Sequence, residues 1–159
     1  MQKISKRLFL SWCSIDEQAK SSLVTLLRAN LQILHGVELV WWEDSLIRIG
    51  EDWRRQILAR LADCDYGLLL LSPGFFASDF ITGHELPRFV GELAEKGALP
   101  VGLKRVPLDG TRTLCGVDRH QVFTLAPRKL FFTETRGPAR ERFAQDLATA
   151  IRDRVLGDS

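Results

Sequence analysis

Apolar and polar positions fall in alternating blocks along the chain. Leu8 to Trp12 is a short apolar run behind a basic lead, which predicts a buried strand. Ser14-Ile15-Asp16-Glu17 then fits a capping box, a serine with a glutamate three residues on. The helix it opens carries Leu23, Leu26, Leu27, Leu31 and Leu34 at spacings of three, four and seven, and Gly36 is placed to end it. Val37 to Trp42 (VELVWW) predicts a second strand. Trp53, Ile57 and Leu61 mark a second helix, with Trp53 expected to anchor it in the core. Tyr66 to Leu71 (YGLLLL) shows no alternation, as a strand buried on both faces does. Ser72-Pro73-Gly74 reads as a turn. A third helix is expected from Thr82 or Gly83 through Phe89, Val90 and Leu93 to Lys96, with Pro87 in its first turns. Leu99 to Leu103 and Leu130 to Thr133 read as strands four and five. Phe143, Leu147, Ile151 and Val155 give the last helix a four-residue stripe.

Five alternations of strand and helix predict the α/β class: a flavodoxin-like open five-stranded parallel sheet, order 2-1-3-4-5, with helices on both faces. The topological switch point of that order lies between the carboxyl ends of strands one and three. A ligand site is therefore expected at Trp12-Cys13-Ser14 and Ser72-Pro73-Gly74. The 159 residues suit one domain, which we expect to cover residues 5–157.

Composition narrows the class without giving a function. At 45% hydrophobic and 26% charged, the chain is an ordinary globular sequence. Its longest apolar stretch, broken by Pro73 and Gly74, falls short of the roughly 20 residues a membrane helix needs. A polar, basic N-terminus gives no secretory signal, and three cysteines without CxxC spacing give no disulfide framework. A cytoplasmic location and no membrane contact are expected. Net charge is +2, and the basic excess of the C-terminal part (Arg112, Arg119, Arg128, Lys129, Arg136, Arg140, Arg142) is scattered with little aromatic interleaving. It reads as a solvated face, and no nucleic acid is expected as a partner.

The familiar chemical signatures are missing. GxGxxG, GxxxxGK, HExxH and GxSxG do not occur, and His35, His84 and His120 are spread too widely for a metal cluster. Neither a metal nor a resident cofactor is expected. A phosphoaspartyl receiver shares the strand order but wants paired acids at the end of strand one and a lysine after strand five. Here Asp16 and Glu17 lie beyond Ser14, and Thr133-Glu134 continues strand five.

Phe9-Leu10-Ser11-Trp12 with Asp16 resembles the first conserved box of TIR (Toll/interleukin-1 receptor) domains. Trp42-Glu43-Asp44 through Ile47, Gly50 and Trp53 is similar to the bacterial TIR pattern at the second strand, the BB loop and the second helix. Leu71-Ser72-Pro73-Gly74-Phe75 and Ser78-Asp79-Phe80, followed by Glu85-Leu86, resemble the third strand and the helix after it. The likeness runs from about Arg7 to Val90, with the motifs in family order. It implies one of two activities. Some members are adaptors that associate TIR to TIR; others cleave NAD+ at the nicotinamide–ribose bond, releasing linear or cyclised ADP-ribose in immunity and antiphage defence. In the cleaving members the essential residue is a glutamate after strand three, and Glu85 matches it.

The chemistry makes one carboxylate sufficient. Nicotinamide departs neutral from its cationic ring nitrogen and needs no general acid, while the oxocarbenium-like ribose needs a nearby negative charge. Around Glu85 we expect Ser11, Trp12, Cys13, Ser14, Trp42, Asp44, Gly50, Phe80 and Ile81 to meet the substrate. Trp12 and Trp42 offer flat apolar rings, and N–H groups at Ser14 and Ile15 suit the pyrophosphate. The catalytic relatives often carry an aromatic four residues before the glutamate. That position is Ile81 here, and the aromatic is Phe80. A helix running through both turns Phe80 about 140° from Glu85, whereas a helix starting at Thr82 or Gly83 leaves Phe80 in a loop, free to close over the pocket.

Ile47 and Ile49 flank Arg48 in the polar loop that resembles the BB loop, an apolar pair suited to docking on another TIR domain. The resemblance implies homotypic head-to-tail assembly, with NAD+ cleavage weak in the isolated domain and raised by clustering. The chain is then expected to be the N-terminal part of a longer multidomain protein whose sensor lies outside it. An NAD+ hydrolase or cyclase is the leading expectation, a non-catalytic TIR interaction module the alternative, and a nucleoside N-glycosyl-transferring enzyme a third.

Overall fold

The computed structural model describes residues 2–42 and 49–159, and of Trp42 the backbone alone. The strands are β1 (Ile4–Ser11), β2 (Val37–Trp42), β3 (Tyr66–Leu71) and β4 (Gly97–Gly102); the helices are α1 (Glu17–Gln32), α2 (Trp53–Asp63), α3 (Pro73–Ala77) and α4 (Pro138–Gly157). All strand pairs are parallel, in the order β2-β1-β3-β4. This is an α/β architecture with helices on both faces.

The pleat of each strand divides the core in two. Leu8, Leu68, Leu70, Leu99 and Val101 face one side, where α1 supplies Leu23, Leu27 and Leu31 and α4 supplies Phe143, Leu147, Ile151 and Val155. Phe9, Leu69, Leu71 and Ala98 face the other, against Ile57 and Leu61 of α2, Phe75 of α3, and Ile81, Leu86 and Phe89. β3 is buried at every position, in keeping with its place inside the sheet.

The expected fifth strand is not found among the described residues. On the edge of β4 away from β3, among the described residues only Phe123 pairs in parallel, donating to the Pro100 carbonyl and accepting from the Gly102 N–H, both at 2.9 Å. Extending that ladder back toward residue 121 requires an N–H at position 100, which proline lacks. The Ala98 carbonyl it would also use is taken instead by the Arg154 guanidinium at 2.9 Å. In the other direction Leu125 turns away to pair with Leu130, and Phe132–Glu134 form a 3-10 turn.

Three local expectations also change. Ser14 and Glu17 do not make a capping box: Ser14–Asp16 form a 3-10 turn, and α1 begins only at Glu17, because the Asp16 side chain turns inward. Ser72-Pro73-Gly74 is no simple turn: the Ser72 hydroxyl accepts from the Phe75 N–H and caps α3, with Pro73 at its first position. The third helix does not run to Lys96. A π-turn over Ile81–Glu85 and a 3-10 turn over Leu86–Arg88 replace it. Pro87 explains this, since it cannot donate to the Gly83 carbonyl and its ring crowds that group. Gly91, at φ +109°, then reverses the chain, leaving Phe89 and Val90 buried but Leu93 exposed. Among the described residues no helix is long and apolar enough to cross a membrane.

The closure of the β3–β4 edge by α4 gives a pH-dependent prediction. The Tyr66 hydroxyl donates to Asp158 at 2.8 Å, and Arg154 binds the same carboxylate. Burial, and then the Asp158 hydrogen bond, push the Tyr66 phenol up to about 12. A phenol that holds its proton more tightly in the folded state stabilises fully below its ordinary value of about 10 and loses that contribution as pH rises toward the folded value. Tyr66→Phe should cost about 1 kcal/mol at neutral pH in urea unfolding. It should then lose less stability than the wild type as the pH is raised from about 10 to about 12; parallel curves would contradict the account.

Candidate active site

The carboxyl ends of β1, β3 and β4 carry polar side chains that the strand pleat separates into two groups. Ser11, the last residue of β1, is buried and shares a face with Phe9. Its hydroxyl donates to Glu85 Oε1 at 2.6 Å. Glu85 ends the π-turn and is only 6% exposed. A π-turn, frequent at functional sites, resets which residues face the core. Ile81 and Glu85 both point inward, His84 is exposed, and Phe80 is half-buried against the edge of the α2–α3 core.

Phe80 is helical, so it is not free in a loop. Its ring lies 5.1 Å from His84 and 5.6 Å from Trp53, and the Arg54 guanidinium sits 5.8 Å above it. Arg54 donates to His84 Nε2 at 2.9 Å, so that nitrogen acts as an acceptor here. Trp53 is 55% exposed and does not anchor the core as expected. Asp52 caps α2 through the N–H groups of Arg54 and Arg55, which makes Trp53 the first helical residue, beyond the apolar cluster that Ile57 and Leu61 enter. The result is a cluster of three rings and a guanidinium, exposed at Trp53 and His84 and half-buried at Phe80.

The structure thus brings Ser11, Cys13, Phe80 and Glu85 to the α2–α3 face. Trp12 is not among them. One residue on from Ser11, it faces the α1–α4 side, packs partly into that core, and carries the Lys20 ammonium 4.3 Å above its ring. Ile81, 3% exposed, is a core residue and offers little surface to a ligand. Ser14 is exposed at the head of its 3-10 turn. Ile15 packs onto α3 so closely that a Cβ at Gly74 would lie 2.6 Å from its Cδ1 and 3.3 Å from Cys13 Sγ. Gly50 (φ +90°) and Ile49 are exposed. The Trp42 side chain, Asp44, Ile47 and Arg48 lie outside the described residues.

A second polar group links all three strand ends and was not expected from the sequence. Asp16, buried, accepts from the Ser72 hydroxyl at Oδ2 and from Lys104 at Oδ1, the latter at 2.9 Å. A buried carboxylate held by a hydroxyl and an ammonium avoids the cost of an unpaired charge. It also fixes the loop after β1 against the start of α3. Among the described residues no group of three or more His, Cys, Asp or Glu is set to hold a metal ion. Cys64 is buried, and desolvation raises its thiol to about 11, so it stays protonated. Scanned against protein-family models the chain matches none, and no curated protein matches it either.

Ser72 serves both Asp16 and the α3 N-terminus, so its hydroxyl is worth more than a surface one. Ser72→Ala should lower urea-unfolding stability by about 1–3 kcal/mol. Thr149→Ala, which removes an exposed hydroxyl bonded to the Gln145 carbonyl of its own helix, should change it by less than about 0.5 kcal/mol. Equal effects would show that Asp16 does not depend on Ser72.

Proposed function

We propose that the chain is a TIR-domain enzyme that cleaves NAD+ at the nicotinamide–ribose bond, with Glu85 as the essential carboxylate. The observation that carries this reading is the Ser11–Glu85 hydrogen bond: a nearly buried carboxylate oriented at the carboxyl end of β1, beside β3. That is the switch point of the β2-β1-β3-β4 order, where parallel sheets hold their ligands. In this reading the sheet is a flavodoxin-like one in which Phe123 and the segment at Leu130 take the place of a fifth strand.

The chemistry follows from the charges. A carboxylate held against the ribose stabilises positive charge as it develops, and a low-dielectric setting strengthens that effect. The electrons of the C–N bond leave with nicotinamide, neutralising its ring nitrogen, and water or the adenine then takes the ribose carbon. Ser11 keeps the carboxylate from rotating away. Trp53 and Phe80 offer faces for an aromatic ring, and Arg54 supplies positive charge toward a pyrophosphate. The biological setting that fits is a cytoplasmic immune or defence effector acting through self-assembly, with no membrane or nucleic-acid contact of its own.

A second reading, an adaptor that binds other TIR domains without catalysis, is favoured by one observation. Ile49 projects fully into solvent next to Gly50.

Nicotinamide release from NAD+, with the protein free and clustered, separates the two. Glu85→Gln keeps an acceptor for Ser11 and should lower release by about 100-fold or more with little change in stability. Trp53→Ala should raise KM by about 2- to 10-fold and leave kcat nearer the wild-type value. No release in any assembled state would sink the enzymatic reading and leave the adaptor.

A further inference from the structure

On the α1–α4 side of the sheet, opposite Glu85, a cavity of about 300 Å³ opens at the carboxyl edge. Gln18 and Ser22 of α1 line one wall, Lys104 follows β4, Thr133 belongs to the 3-10 turn, and Arg140 comes from the first turn of α4. Asp16 is its one carboxylate, and both oxygens are already engaged, one by Ser72 and one by Lys104. Lys104 and Asp16 therefore cancel. Arg140 is the remaining charge. Among the described residues it pairs with no carboxylate, and its buried Nε has no acceptor. Its guanidinium lies 4.5 Å over the Phe132 ring, which holds its plane in place.

We propose that this cavity binds the phosphate group of a small phosphorylated molecule. A guanidinium fork presents two parallel N–H donors that match two phosphate oxygens, and the terminal N–H groups of Arg140 are the ones open to the cavity it lines. Lys104 is 41% exposed and gives only part of its ammonium to Asp16, so its remaining N–H groups are available to a third oxygen. The Thr133 hydroxyl adds a neutral donor on the same wall. The volume is at the lower end for small-molecule sites, which fits a phosphate with a small organic body and excludes a whole dinucleotide. This site lies across the sheet from Glu85 and does not depend on the NAD+ reading.

The test is amide NMR titration of the full chain with inorganic phosphate and with glycerol 2-phosphate, at fixed ionic strength. Acetate and chloride serve as controls. Saturable shifts are expected at Ser22, Lys104, Thr133 and Arg140 with both phosphates, and Arg140→Gln should weaken binding at least about tenfold. Arg140→Lys, which keeps the charge but loses the fork, should fall between them. Unsaturable shifts, equal shifts with acetate, or wild-type affinity in a folded Arg140→Gln protein would each overturn the proposal.

Discussion

A β-strand sends neighbouring side chains to opposite faces, and at the end of β1 that rule decides which side chain meets Glu85. Ser11 faces the α2–α3 side and holds Glu85; Trp12 faces the α1–α4 side and packs against α1. Had the register slipped by one residue, Glu85 would meet an indole in place of the Ser11 hydroxyl. The parallel pairing of β1 with both β2 and β3 over several residues prevents that slip. Asp16 reinforces it from the loop beyond, tying the chain after β1 to Ser72 and Lys104. Two polar groups result, one on each side of the sheet, both resting on the same strand ends.

Much of this was legible in the residues. Strands β2 and β3, the start of α2 and the apolar stripe of α4 fall where hydrophobic spacing puts them, because each depends on its own local pattern. The all-parallel α/β class follows from their alternation. What failed was set in one case by contacts distant in sequence and in the other by local breakers inside an apolar pattern. The stretch at Leu130 carries strand-like residues, but the edge it would join has Pro100 and a carbonyl taken by Arg154 of α4. The run from Gly83 to Lys96 has helical spacing, but Pro87 and Gly91 turn it into short, wide and tight turns.

The candidate site divides in the same way. The motif order singled out Glu85, and Ser11 stood in the same strand motif, yet their hydrogen bond spans 74 residues and needed the fold to appear. Trp12 was expected at the site as a flat ring at the end of strand one, and the strand's two-residue period moves it to the other face. Trp53 was read by its helical spacing as core, but a helix's first turn can project past the sheet. There it meets Phe80, supplying an aromatic that Ile81 does not. Asp16, Ser72 and Lys104 each follow directly on a strand or its loop. Polar residues after three strands of one parallel sheet were the available signal for that cluster.

The central claim is that Ser11 orients Glu85 for reaction, beyond filling a buried acceptor. The most direct measurement is nicotinamide release from NAD+ by Ser11→Ala, compared with the wild type alongside urea unfolding of both. A net hydrogen bond to a charged group is worth about 1.5–3 kcal/mol, so an orienting role predicts kcat lower by about 10- to 100-fold in a protein that remains folded. KM should change less. Wild-type kcat in Ser11→Ala, with only stability reduced, would contradict the account and make the hydrogen bond a structural one.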